Sequence, residues 1–471
     1  MIRSSADGHA VVVGAGLAGL LSAQVLARRF ARVTLIERDR LPQSAPAFRP
    51  GVPQSRHVHL LWSRGLDLIE SQLPGITDDL LAGGARLLRA PTDLHWLSPV
   101  DWFGPVPGTV LLAGSRELIE WTVRQRVLRE KRIEPRTGTE AIGLLCAPDG
   151  AGVRGISFRP RGTPNGDRVE QLAADFVLDA SGRTSRAPTW LAELGYPAPA
   201  VTRCDAHLAY SSRYYRAPAD GGRDHTAIYI QGRPDLPRAA ALLPIDGGRW
   251  LVTLIGIGTH APPTGDEEFV EYARALRSPL LYEALRAAVP LSSAKGFRDT
   301  ANEWRHYERL RRWPDGFVVL GDAACRFNPV YGHGMTVAAI AAHSLARETE
   351  GRDHHGIRRA ARRIQRRTAA SASTAWGIAL SGDLRSPDTE GPRPGRFATV
   401  LQRYMPHLLA GANKDPVLSR ALFDVLSLNA APTTLLTPST VIRVLGKWRL
   451  PTAPATEPYP PHGHSAPAQP Y

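Results

Sequence analysis

The stretch AVVVGAGLAGLLSAQVLARRFARVTLIERD, residues 10–39, decides the fold. It runs as an apolar β-branched strand, a glycine-rich turn, a helical pattern and a second strand, which is one βαβ unit. Gly14, Gly16 and Gly19 stand in the spacing G-x-G-x-x-G directly after the first strand and at the start of the helix. That context gives weight to a motif that is weak by itself. The first glycine permits a tight turn, the second lets the backbone approach a pyrophosphate, and the third lets helix and strand pack closely. The helix N-terminus, with Ala15 and Ala18 completing the cradle, offers unpaired N–H groups and the positive end of its dipole to phosphates. Glu37 ends the second strand, followed by Arg38, where a carboxylate can bond ribose hydroxyls.

A dinucleotide is therefore expected, and a second segment chooses which one. In GFVVLGDAACRFNPVYGHGMTVAA, residues 316–339, an apolar strand ends at Gly321-Asp322 and opens into NPVYGHGM. Asp322 at the strand end can accept hydrogen bonds from ribityl hydroxyls. Pro329, Gly332 and Gly334 permit close backbone approach to an isoalloxazine ring. A helix beginning near Met335 aims its positive end at the flavin pyrimidine edge. FAD is the expected cofactor.

Between these segments, residues 40–56 carry five prolines and glycines and read as a loop. SRELIEWTVRQRVLRE, from Ser115, reads as an amphipathic helix capped by that serine. Residues 205–260 read as β-rich, with AALLPIDGGRWLVTLIGIG forming a hairpin that turns at Asp246-Gly247-Gly248, and this region is expected to roof an apolar pocket. The fold expected is α/β: a Rossmann-like FAD-binding domain of glutathione-reductase type interleaved with a β-sheet substrate domain, plus a C-terminal helical region. The FAD-binding domain is expected in three parts (1–90, 115–200 and 301–350), the substrate domain in two (91–114 and 201–300). A helical region at 351–450 and a Pro-rich disordered tail at 451–471 follow.

Composition bounds the partners. The 471-residue chain has a net charge of +14, yet only four of its 58 basic residues are lysines and no nucleic-acid-reading motif accompanies them. Nucleic acid is therefore not an expected partner, and the arginine cluster from Arg358 to Arg367 reads as a solvated helix face. Three cysteines in no ligand or disulfide spacing point to no metal site and to a reducing cytoplasm. No signal pattern opens the chain, and no apolar run of membrane-spanning length occurs.

With these segments in hand, the chain resembles the flavoprotein monooxygenases of the aromatic-hydroxylase and squalene-epoxidase type, the group A enzymes. Within them it is similar to the actinobacterial polyene epoxidases of polyether antibiotic biosynthesis, through GVPQSRHVHLLWSRG (51–65), SRELIEWTVRQRVLRE (115–130), LPIDGGRWLVTLIG (243–256) and GDAACRFNPVYGHGM (321–335). The C-terminal DPVLSRALFDVLSLNAAPTTLL adds to the likeness. The resemblance implies a cytoplasmic oxidoreductase in which NADH or NADPH reduces FAD and a flavin 4a-hydroperoxide passes one oxygen atom of O2 to an alkene of an apolar, polyketide-like substrate. That substrate arrives free or carrier-bound.

By the same resemblance Arg116 meets the FAD phosphate or ribityl region, and Gly321, Asp322, His333 and Met335 belong to the flavin loop. Arg56 and His57 lie beside the cofactor, where contact and simple loop anchoring are equally open. Asp179 and Gly182, in DASGRTS, resemble a second Asp-Gly motif with two residues inserted, which puts Asp179's contact in question. Alkene epoxidation needs no proton removed before attack, so no catalytic side chain is assigned, and Tyr331 and His333 are pocket-shaping residues first. A tryptophan halogenase would carry W-x-W-x-I-P, in which neither Trp96 nor Trp102 lies. Two alternatives stand: an aromatic hydroxylase, and a non-catalytic flavin-binding module docking an acidic carrier protein.

Overall fold

A computed structural model of the chain describes residues 7–147, 150, 152–162, 168–218, 227–393 and 396–446. The expected tail at 451–471 lies outside these residues. At the centre is a five-stranded parallel sheet in the order Phe317–Val319, Phe176–Asp179, His9–Val13, Arg32–Glu37, Ile133–Thr137. Its inner strands are apolar at nearly every position, as a sheet covered on both faces requires. Helix Leu17–Leu26 packs against helices Arg116–Val127 and Gly334–Thr349 in the same core. The capping expected at Ser115 is present: its hydroxyl accepts from Leu118 N–H at 3.1 Å.

The glycine fingerprint works as steric reasoning requires. Gly14 turns at φ +100°, a region that disfavours side chains, and donates its N–H to Ile36 O at 2.8 Å. A Cβ on Gly19 would sit 1.8 Å from Gly14 O, so only glycine lets the helix lie this close to the turn.

The second sheet is mostly antiparallel. Its order is Val289–Pro290, Leu208–Arg216, Arg249–Ile257, Arg238–Ile245, Ala227–Ile230, Leu94–Leu97, with the last pair parallel and Lys295–Phe297 joined to Leu208–Arg216. The expected hairpin turns over Asp246–Gly248, with Gly247 and Gly248 both at positive φ.

After helix Ala361–Ala370 come four further helices among the described residues, Ser373–Asp383, Arg396–Ala412, Pro416–Leu426 and Pro438–Gly446. Leu408, Leu418, Leu422 and Phe423 from this region join Trp62, Trp96 and Phe103 in one apolar cluster, with Phe423 set edge-on to Trp96 at 5.4 Å. The arginine cluster is solvated only in part: Arg362, Arg363, Arg366 and Arg367 are exposed on helix Ala361–Ala370 while Ile364, Gln365 and Thr368 are buried, but Arg358 is largely covered and lies 3.6 Å from Asp315. No helix among the described residues is long and apolar enough to cross a membrane.

Candidate functional site

Two adjoining hollows open where the central sheet ends. The first is a cleft of about 250 Å³ bounded by the glycine turn, the end of the second strand and the loop 321–335. Gly14, Gly16, Ala18, Glu37, Arg38, Arg116, Gly182, Gly321, Asp322, Pro329, Gly332, Gly334 and Met335 all line it. Thirteen of the nineteen expected cofactor residues thus meet in one place, from segments more than 300 residues apart.

The cleft fits a dinucleotide on structural grounds. A Cβ built on Gly16, Gly182 or Gly334 would meet nothing within 4 Å, so bare backbone faces open space at each end. The N-terminus of helix Leu17–Leu26 begins at Gly16, and that of helix Gly334–Thr349 begins beside His333. Arg116 pairs through Nη2 with Glu120 at 2.9 Å, leaving Nη1 buried without a protein partner. Ser181 Oγ, also at the cleft wall, is likewise unpaired. Asp322 faces the cleft with no hydrogen-bond partner among the described residues. Its carboxyl is raised above the ordinary range by the depth of the cleft, against the pull of Arg116, Arg326 and Arg183.

Six expected residues lie elsewhere, for physical reasons. Ala15 is fully buried and gives its N–H to Glu37 Oε2 at 2.7 Å, so it holds the carboxylate rather than facing the cleft. Gly19 serves helix packing. Arg56 stacks its guanidinium 3.9 Å from the Phe48 ring centroid, within its own loop, and does not line the cleft. His57 is buried with its ring bonded to Ser212 Oγ at 2.7 Å, and it lines the second hollow instead. Asp179 is fully buried behind the wall, accepting from Ser181 N–H at 2.9 Å and Ser185 Oγ at 2.5 Å, and so fastens the DASGRTS turn. His333, too, lines the second hollow, giving its Nε2 to Leu426 O at 2.8 Å.

Arg49, within the stretch read as irregular loop, is the residue the sequence did not reveal. Its buried guanidinium reaches Glu120 at 2.6 Å, Asp39 at 3.2 Å and Glu37 at 3.3 Å, and bonds Ala15 O at 3.3 Å. Through these contacts it ties the ribose-side carboxylate, the glycine turn and the Arg116 helix into one charged cluster.

The second hollow holds about 1390 Å³ and is largely apolar. One wall is the antiparallel sheet, through Leu208, Tyr210, Ile228, Leu243 and Ile255, as expected of a roof. The facing wall is the C-terminal helices, through Ile378, Met405, Leu409, Leu422 and Leu426, which sequence reading did not place there. Gln54, Val58, His59, Leu60, Pro329 and Gly332 border both hollows, so the two adjoin along the flavin loop. Burial favours the neutral form of three histidines lining this hollow: His57 and His333 are lowered to about 4 and His59 to about 3. At one side a polar cluster closes the hollow. Asp383 accepts from Asn302 Nδ2 at 2.5 Å, Asn328 Nδ2 at 3.2 Å and Tyr331 Oη at 2.7 Å, and Tyr210 Oη donates to Asn328 Oδ1 at 2.9 Å. Among the described residues no group of His, Cys, Asp and Glu could hold a metal ion.

The chain is similar to known proteins in sequence and in fold. The FAD binding domain family matches residues 7–349. Protein Rv3254 of Mycobacterium tuberculosis is 32% identical over 430 residues, 87% of each chain. Among solved structures, the flavin-dependent brominase Bmp2 superposes with a TM-score of 0.62 at 14% identity, covering 93% of this chain and 100% of that one. The Pseudomonas aeruginosa protein pqsL, described as a probable FAD-dependent monooxygenase, gives 0.57 at 17% identity over 89% and 100%. At such identities the structures speak for the fold alone, which is that of flavoproteins. The family match covers the glycine turn, Glu37, Arg116 and Asp322 together, and the chain belongs to the FAD binding domain family.

Proposed function

We propose that this protein is an FAD-dependent monooxygenase that places one oxygen atom of O2 on an alkene carbon of an apolar substrate, an epoxidase with NAD(P)H as reductant. One observation carries the reading: the dinucleotide cleft and the large apolar hollow share the wall formed by Gln54, Val58, His59, Leu60, Pro329 and Gly332. A substrate in the hollow therefore lies against the part of the cleft where the flavin ring is expected. When bound, FAD supplies the activation of O2; the chain's residues bind, orient and exclude water.

In this reading Gly14, Gly16 and the helix N-terminus at Leu17 hold the pyrophosphate, and Glu37 with Arg38 lies at the adenosine ribose. Arg116 and Asp322 supply the unpaired donor and acceptor for the phosphate and ribityl chain. Gly332, Gly334 and Met335 back the ring, where helix Gly334–Thr349 presents its positive end. The apolar walls keep water from the reacting atoms. His57, His59 and His333 are poor proton acceptors at neutral pH, which suits attack on a double bond, a step requiring no proton removal.

An aromatic hydroxylase is the second reading, and the Tyr331–Asp383 pair favours it. A phenol can pass its proton to such a pair, because burial raises the Asp383 carboxyl above its usual range. Two flavin halogenases also share the fold, Bmp2 and the chondrochloren halogenase CndH. One experiment separates these: the FAD-loaded protein with NAD(P)H and O2 is offered a linear polyene, a phenol, and a phenol with bromide. Polyene product heavier by one oxygen supports the proposal; hydroxylated phenol alone supports the second reading; brominated phenol overturns both. Protein that takes up no FAD overturns the assignment of the cleft.

A further inference from the structure

Arginine is costly in an apolar hollow unless an anion faces it. Two arginines line the large hollow, Arg233 and Arg385. Arg233 is neutralised, its Nη2 lying 2.5 Å from Asp235 and its Nε 3.0 Å from the same carboxylate. Arg385 is not. It follows helix Ser373–Asp383, its Nε is buried without a hydrogen-bond partner, and among the described residues it makes no ion pair. The nearby carboxylate of Asp383 is occupied by Asn302, Asn328 and Tyr331. A second donor without a protein acceptor, Gln402 Nε2, lines the same hollow. The rest of the lining is mainly apolar, with Asp383, Asp388 and the Tyr331 hydroxyl among its polar exceptions, so the space suits a long hydrocarbon body carrying an acceptor for these donors.

We infer that Arg385 is the receptor for an anionic end of the substrate, a carboxylate on an otherwise apolar, unsaturated chain. The planar guanidinium matches a carboxylate with two parallel hydrogen bonds. The inference deepens the monooxygenase reading and rests on its assignment of the large hollow as the substrate site. It also chooses between two forms of substrate: a thioester on a carrier protein has no charge at this end, whereas the free acid does. Burial lowers Arg385's own pKa, as expected for a guanidinium lacking a counter-charge, and an incoming carboxylate reverses that effect.

The test is binding, measured apart from turnover. A linear polyunsaturated fatty acid, its methyl ester and its primary alcohol are titrated calorimetrically, below their micellar concentrations, into FAD-loaded wild type, R385K and R385Q. In wild type the acid should bind more tightly than ester or alcohol by about tenfold or more, the range of a charge-assisted hydrogen bond. R385Q should bind all three alike, and R385K should keep part of the preference. Thermal unfolding shows whether R385Q is folded; if it is not, the wild-type comparison of acid with ester decides alone. Equal binding of acid and ester, no binding of the acid, or a preference that survives in folded R385Q overturns the inference. Acid bound through Arg385 but left unoxygenated would instead tell against the monooxygenase reading.

Discussion

Tyr331 Oη donates a 2.7 Å hydrogen bond to Asp383 Oδ1, and that bond joins the flavin-side loop to the end of a C-terminal helix. A Cβ on Gly382 would lie 2.0 Å from the Tyr331 hydroxyl, so any larger residue there would force the tyrosine ring to shift. The loop that faces the cleft and the helix that walls the hollow are therefore tied to each other at this point.

Asp383→Ala is expected to strand three donors, Asn302 Nδ2, Asn328 Nδ2 and Tyr331 Oη, inside the protein. Unmet buried donors cost about 1–3 kcal/mol each before relaxation, so the holoprotein should lose about 3 kcal/mol in urea unfolding. Tyr331→Phe removes one donor and leaves the others paired, and should cost about 1 kcal/mol. Equal losses in the two variants would contradict the geometry.

Gly16→Val and Gly19→Ala should fail differently. A side chain at Gly16 enters open cleft, so the apoprotein should fold normally while FAD binding weakens by about a hundredfold or more, the cost of lost phosphate contacts. A methyl at Gly19 collides with Gly14 O and should lower the stability of the apoprotein itself. Apoprotein melting and FAD titration read the two effects separately.

Arg49 removal should be among the most damaging single changes. Arg49→Met leaves Glu37, Asp39 and Glu120 without their shared cation, and breaking a buried pair typically costs about 3–5 kcal/mol. Arg49→Lys should restore little, because one ammonium cannot reach three carboxylates and a carbonyl as a fork does. Chemical unfolding and FAD retention on gel filtration check both.

Acid should weaken the fold through its buried histidines. His57 and His333 hold about 4 in the folded state against an ordinary 6.5, so the unfolded chain binds protons that the folded one refuses. Their contribution is intact above pH 6.5 and is lost as pH falls towards 4. For His333 the cause is visible: Nε2 donates to Leu426 O, and the opposite nitrogen is buried without a partner, so a second proton there would have no acceptor. His333→Gln should flatten the melting-temperature profile between those pH values, and an unchanged slope would count against this account.

The cofactor cleft was legible because its chemistry constrains backbone. Gly14 and Gly19 must be glycine for steric reasons, Gly16 leaves open the space a ligand would fill, Glu37 ends its strand, and Asp322, expected at a strand end, stands in the 3-10 turn just beyond strand Phe317–Val319, so spacing reports them. Arg49 was not legible because its partners come from three separate elements, and a lone arginine in a proline-rich loop has no periodicity to betray it. Asp179 misled for a related reason: an acidic residue at a strand end bonds a ligand or its own turn equally well, and here the turn that follows gave its oxygens Ser181 N–H and the Ser185 hydroxyl. The far wall of the hollow escaped notice because helical periodicity tells which face is apolar and not what that face meets.

The family match ends at residue 349, whereas Arg385, Met405 and Leu422, on the facing wall, lie beyond it. The sheet wall of the hollow thus lies within the matched stretch and the helical wall outside it, the two joined physically at Tyr331 and Asp383. Exchanging the C-terminal helices therefore changes one wall of the hollow while leaving the glycine turn and the sheet wall in place, provided that the joint is carried over with them.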